Sequence, residues 1–301
     1  MLILLIQLTV VLTSIFIDNV GTDGHLRIRQ YPGVTTNECG LGRESLRMTR
    51  PNCFHYGKAG DSIHMGRESE PGEVPWMVYI KYSAIYGIGT QSYEDHSRRD
   101  VQWFYIYVGL QNLKQMDDYY RVDHYYTHPK YNFKKNINDI ALMKLSTEVQ
   151  LPTGTDTTDP DHVYRSFNAI CMPDAGLFNF KNELALIAGF GPLKEGEKNN
   201  GQLHMGWLDI EKVYNHSGKP ENSSRIYSYR NAGALSPLLC KGDSGGPWFQ
   251  YINGRAVLVA VTSTITLYGN SMCSDDNRLA KMSGARISYV MDWIEYIVTH
   301  Y

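Results

Sequence analysis

The sequence predicts an all-β protein, a barrel or a sandwich, that ends in a single amphipathic helix. Three observations predict it. From Pro75 onward, short apolar or aromatic runs alternate with turn clusters at the spacing of many short strands. Tyrosine is abundant, with 22 residues, and Thr, Val and Ile recur in short runs, which suits a pleated, half-buried surface. Near the C-terminus the apolar positions change period from two to about 3.6.

In chain order, the first strand is expected at 76–80, directly after Pro75, and the second at 101–110. Further strands are expected at 140–145, 184–190, 203–210 and 257–265, with Gly, Asn, Asp and Pro in the gaps. Tyr289, Val290, Trp293, Ile294, Ile297 and Val298 fall on one face of a helix, predicted over 288–299. Before Pro75 the pattern is different. Residues 1–18 begin with an apolar stretch that ends at Ile17 and read as a secretory signal peptide. A membrane anchor is the rival reading, but the stretch is at the short edge for a span and contains Gln7. Residues 19–62 are polar, rich in Gly and Arg and aperiodic, and read as a pro-segment ahead of a domain over 63–301.

A chain of 301 residues with 43% apolar content can bury a substantial core. A net charge of -2 gives no reason to expect nucleic acid or an anionic membrane surface as a partner. The five cysteines, Cys39, Cys53, Cys171, Cys240 and Cys273, include no C-x-x-C pair, which argues against a zinc or dithiol redox site. Sequons begin at Asn215 and Asn222 in a polar stretch and would be glycosylated in a secreted chain.

The most informative segment is Gly242-Asp243-Ser244-Gly245-Gly246-Pro247. A serine hydroxyl attacks a carbonyl only when a base takes its proton and donors hold the oxyanion. Gly242 and Gly245 lack the Cβ that would keep a substrate carbonyl at a distance, and the amides of Gly242 and Ser244 can converge on one oxyanion. This hexapeptide, with Cys240 just before it, resembles the nucleophile loop of the trypsin/chymotrypsin-like serine endopeptidases. Members of that family transfer the acyl group of a peptide to serine, with a histidine as base and an aspartate that orients it. The resemblance implies two packed six-stranded-type β-barrels with the active site between them, and a C-terminal helix.

Other segments resemble the same family in the same order. Asn138-Asp139-Ile140-Ala141-Leu142-Met143-Lys144-Leu145 is similar to its D-I-A-L-x-x-L strand, which implies that Asp139 orients the catalytic base. Pro71-Gly72-Glu73-Val74-Pro75-Trp76 resembles the start of the mature domain, and counting back reaches Ile63. By resemblance, cleavage before Ile63 frees an amine that pairs with Asp243 and forms the oxyanion hole. Ser62 stands where a basic residue is usual, so a trypsin-like activator would not cut there. Ala188-Gly189-Phe190-Gly191 resembles the G-W-G turn of the family. By resemblance Leu238 would stand at the pocket floor, and Val261-Thr262-Ser263-Thr264-Ile265 is similar to the strand along which the substrate pairs, which would put Ser263 and Ile265 at the pocket and implies a small or apolar guest rather than Arg or Lys. Cys240 and Cys273 would form the bridge beside this pocket. Cys171 resembles the cysteine that tethers the pro-segment; its partner would be Cys39 or Cys53, and Cys39-Gly40 is the better match.

One part is missing. The family carries its catalytic histidine in T-A-A-H-C, and no such motif occurs here. The histidine nearest the expected place is His96, inside the charged run Tyr93-Glu94-Asp95-His96-Ser97-Arg98-Arg99-Asp100. Absence of the whole block implies a first barrel short of a segment. His128, in His128-Pro129-Lys130-Tyr131-Asn132, reads as structural. The sequence therefore leaves two functions open: a secreted endopeptidase acting through Ser244, or an inactive homologue or incomplete isoform that binds a protein partner. The expected partner is a polypeptide substrate or a protein. Neither metal nor organic cofactor is expected, and no membrane contact beyond the leader.

Overall fold

A computed structural model describes residues 39–40, 66–82, 101–149, 168–173, 183–191, 200–211, 223–230, 237–240, 242–252, 255–268 and 279–301. Two curled antiparallel sheets and one helix make up the described fold. The strands are β1 (Arg67–Glu68), β2 (Val78–Tyr82), β3 (Phe104–Val108), β4 (Tyr120–Thr127), β5 (Ala141–Leu145) and β6 (Glu183–Gly189). Then follow β7 (His204–Ile210), β8 (Arg225–Arg230), β9 (Pro247–Ile252), β10 (Arg255–Leu267), β11 (Ala280–Arg286) and the helix α1 (Ile287–His300).

The first lobe is a four-stranded sheet in the order β2-β3-β4-β5, and the second a seven-stranded sheet in the order β1-β7-β6-β9-β10-β11-β8. The second sheet curls: the amide of Glu211, just past β7, donates to Tyr227 O of β8 at 3.1 Å. Alternation explains the curl, since inward residues such as Ile226, Leu208, Ile187, Val259 and Met282 fill one shared interior. Val78, Ile106, Val122, Met143 and Leu145 do the same in the first lobe.

The largest apolar cluster lies at the junction of the lobes. It joins Trp76, Leu142, Ile170, Leu186, Phe249, Leu258 and Met291. Trp76 meets Phe249 edge to face with ring centroids 5.1 Å apart. This junction packs strands of both lobes and the helix against one another.

All six strands read from the sequence are present, with modest shifts. The run at 101–110 opens with a 3-10 turn at Val101–Trp103 before β3. The helix begins one residue earlier and ends one later than the predicted 288–299. The sequence pattern does not announce β1, β4, β8, β9 or β11. Inward positions of β8 are Ile226, Ser228 and Arg230, and β11 buries Ser283, Gly284 and Arg286 beside Ala280 and Met282, so neither carries a sustained apolar alternation.

Cys39 is bonded to Cys171, which decides between the two pairings left open. The tethered residues fit closely. Gly40 donates to Ala169 O at 2.7 Å and accepts from Ala256 N at 3.0 Å, while Arg255 Nη1 donates to Cys39 O at 2.8 Å. Gly40 has φ +68°, and an added Cβ would sit 2.5 Å from Ala256 O, so only glycine fits there.

Candidate active site

Ser244 sits on the turn that leads into β9, and it is exposed. Two glycines make the turn possible: Gly242 has φ +106° and Gly245 φ +83°. Backbone bonds lock it. Asp243 N donates to Cys240 O at 3.1 Å, and Gly246 N donates to Asp243 O at 3.0 Å. Gly245 N donates to Thr262 O at 2.9 Å and Thr262 N to Gly246 O at 2.8 Å, which staples the turn to β10. Among the described residues, neither the Gly242 nor the Ser244 amide has an acceptor, so both donors remain available to a guest oxygen.

Asp139 arrives from the other lobe, at the mouth of β5. Its carboxylate Oδ2 accepts from Ser263 Oγ at 2.7 Å. The cause of this aim lies in the ladder. Thr262 pairs with Gly284 and Thr264 with Ser283, so Ser263 is the extra residue of a β-bulge and is turned toward the first lobe. Consecutive residues of β10 thus hold both halves: Thr262 fixes the Ser244 turn, and Ser263 holds the carboxylate. Burial raises the Asp139 pKa, while the Ser263 hydrogen bond and then the charge of Arg225 oppose the rise.

Asp243 points away from Ser244, into the protein. Its side chain is 1% exposed. Oδ1 accepts from Gly191 N at 2.9 Å and Oδ2 from Cys240 N at 2.8 Å. Burial raises its pKa to about 6 against these two bonds. The Ala188–Gly191 turn that resembles the family's G-W-G turn supplies the room: a Cβ on Gly191 would lie 2.5 Å from Asp243 Oδ1, and one on Gly189 would also collide with that oxygen.

Leu238 has no exposed surface and belongs to the second-lobe core, against which Ile265 also packs. Cys240 is buried beside them. Ile63, His96, Cys53 and Cys273 lie outside the described residues, as do 1–18 and all of 19–62 except Cys39 and Gly40. His128 has a local structural role: its ring lies 4.9 Å from that of Trp293, and Nδ1 accepts from Lys130 N at 3.1 Å. Burial, then the charge of Lys130, lowers its pKa.

Sequence reasoning missed Arg225. Its Nη2 donates to Thr264 Oγ1 at 2.6 Å and also to Ser283 Oγ, and Nη1 donates to Lys135 O at 3.2 Å. The run Arg225-Ile226-Tyr227-Ser228-Tyr229-Arg230 gives no sign that one arginine reaches the cleft.

A model of the Trypsin family matches residues 63–294. The chain belongs to the trypsin family. Curated relatives agree. The chain is 24% identical over 308 residues to CLIP domain-containing serine protease B14 of Anopheles gambiae, covering 82% of this chain and 75% of that protein. It is 25% identical over 230 residues to the venom peptide isomerase heavy chain of Agelenopsis aperta, covering 66% of this chain and 87% of that protein. CLIP domain-containing serine protease B15 of Anopheles gambiae is 22% identical over 281 residues, 79% of this chain and 70% of that protein. The two lobes and the C-terminal helix are the trypsin-like double barrel of this family. Among the described residues there is no group of His, Cys, Asp and Glu that could hold a metal ion, and no helix long and apolar enough to cross a membrane.

Proposed function

We propose that the chain is a secreted serine endopeptidase that hydrolyses peptide bonds through an acyl-enzyme on Ser244. The observation that carries this reading is the Ser263–Asp139 hydrogen bond, beside a turn whose nucleophile is exposed and whose two flanking amides lack acceptors. Ser244 Oγ would attack the substrate carbonyl carbon as a base takes its proton. The Gly242 and Ser244 amides would hold the resulting oxyanion. Collapse would expel the amine, which takes the proton, and water would then release the acyl group by the same steps in reverse order. By the family resemblance Leu238 would lie beneath the pocket floor and Ile265 at its wall, and neither side chain offers a charge, so the residue preceding the scissile bond would be small or apolar.

Residues 1–18 would be the leader, 19–62 the pro-segment and 63–301 the protease domain. Cleavage before Ile63 would bring its amine to Asp243, a buried carboxylate whose hydrogen-bond donors are two neutral amides. The Cys39–Cys171 bond suits an oxidising, extracellular compartment. Glycosylation at Asn215 and Asn222 would follow from secretion.

A second reading has a specific observation behind it. The hydrogen-bond partner of the Asp139 carboxylate is a hydroxyl, and among the described residues no imidazole contacts it. Loss of the base from such a triad costs a factor of about 10⁶, which takes a typical turnover of about 10 s⁻¹ to about 10⁻⁵ s⁻¹. In that case the chain is an inactive homologue or incomplete isoform that works by binding protein.

Ester-burst kinetics separate the two. The chain cut before Ile63 is mixed with an activated ester of a small apolar acyl group. An endopeptidase releases one equivalent of alcohol rapidly and then turns over slowly. If His96 is the base, His96→Ala abolishes the burst. No burst from folded, cut protein favours the binding role.

A further inference from the structure

We propose that Arg225 selects peptides with an acidic side chain on the acyl side of the scissile bond, within a few residues of it. This deepens the proposed function and rests on it, taking Val261-Thr262-Ser263-Thr264-Ile265 of β10, by its resemblance to the family's substrate-pairing strand, as the line along which a bound peptide would lie.

The guanidinium is held in place. Its three hydrogen bonds go to Thr264 Oγ1, Ser283 Oγ and Lys135 O, all neutral oxygens. Its Nε is buried without an acceptor. The face of Tyr227, 5.3 Å from the guanidinium carbon, lies beside it. Besides the Nε proton, one N–H on Nη1 remains uncommitted, at the exposed end next to Lys135. Asp139 feels the charge, but among the described residues no carboxylate lies within ion-pair reach of Arg225.

A partly buried cation with only neutral partners is under-compensated, and an incoming carboxylate corrects that. Position favours a peptide as the carrier. Thr264, to which Nη2 is bonded, directly follows Ser263 on β10, so the guanidinium is anchored on the strand along which a peptide would pair, with Nη1 at its exposed end. The loop between β4 and β5 strengthens the field. It carries Lys130, Lys134 and Lys135, all exposed, and among the described residues none of the three has an ion-pair partner. Because Nη2 is already committed twice, the contact is a single charge-assisted bond plus attraction from the loop, not a bidentate fork. The gain is therefore about tenfold in affinity, equivalent to about 1.4 kcal/mol.

The test uses the full chain carrying Ser244→Ala and cut before Ile63, so that binding is read in the activated form without turnover. Fluorescent peptides with an apolar residue before the scissile bond carry Glu or Gln at each of the three preceding positions, and anisotropy gives the Kd. The expected result is about tenfold tighter binding for Glu at one position. That preference shrinks in about 0.5 M salt, disappears in Arg225→Gln and largely persists in Arg225→Lys. The salt dependence of the unsubstituted cleft stands even if Arg225→Gln fails to fold. Equal Kd for Glu and Gln peptides that do bind overturns the role of Arg225 and leaves the protease reading standing. If no peptide binds, both fall.

Discussion

Ser263 Oγ donates to Asp139 Oδ2 at 2.7 Å across 124 residues of sequence. This bond joins the two lobes, and Thr262, one residue earlier, holds the turn that carries Ser244. Ser263→Ala removes that donor from a mostly buried carboxylate. A hydrogen bond to a charged group contributes about 1.5–3 kcal/mol, so the substitution should cost about that much at pH 8. The Asp139 pKa, already raised by burial, should rise further. The sign follows from linkage: below the ordinary carboxylate range Asp139 is neutral in both states and the loss is small, and it grows as pH rises through the folded-state value. Urea unfolding at pH 4 and pH 8 measures the difference. Equal losses at the two pH values would contradict it.

Asp243 gives a second pH dependence. Its folded pKa of about 6 exceeds its ordinary 3.8, so the neutral form is favoured on folding. Stability is fully retained below about pH 4 and should fall by about 3 kcal/mol as pH rises through 6, then level off. Asp243→Asn in the uncut chain should abolish that fall. A new amine at Ile63 should abolish it as well, by supplying the missing positive charge. Thermal unfolding of uncut, cut and substituted chains between pH 4 and 8 checks all three.

Gly191→Ala tests steric fit apart from backbone freedom, because the position does not have a positive φ. The new methyl would sit 2.5 Å from Asp243 Oδ1 and 2.7 Å from Cγ. Something must move, and Asp243 adjoins Ser244. A loss of ester burst of at least about tenfold is expected, with about 1–3 kcal/mol lost in stability. Burst amplitude and rate, read beside a melting curve, measure both.

The Cys39–Cys171 bond should keep the pro-segment attached after cleavage before Ile63. Cut protein should run as one species unreduced and as two after reduction. Replacing both cysteines with serine should free the upstream piece. It should also cost up to about 5 kcal/mol, the chain-entropy value for a closed loop on the order of 100 residues. Two bands without reductant would contradict the tether.

Much of this was legible in the residues. Gly242 to Pro247 and Asn138 to Leu145 carry the resemblance to the family that the chain belongs to, and the fold leaves Ser244 exposed and bonds Asp139 to Ser263. The strands at 184–190 and 203–210 are visible because both faces of their sheet bury apolar side chains. What stayed hidden is hidden for physical reasons. Strand β8 buries Ser228 and Arg230 where an alternation would show apolar residues, so neither it nor the reach of Arg225 can be read in advance. The bulge at Ser263 is a property of pairing with β11, and a strand has no local mark of its partner's register. The glycines at 189 and 191 resemble a family turn, but their steric purpose depends on Asp243, more than fifty residues away.

The most direct test is covalent. A fluorophosphonate is incubated with folded chain cut before Ile63, and the adduct is mapped by peptide mass spectrometry. The expected adduct forms on Ser244 alone, with loss of fluoride, and slows sharply in Asp139→Asn. An adduct on another serine, or an Asp139→Asn rate equal to that of the unaltered chain, would contradict the pairing of residues 139 and 244 in one site.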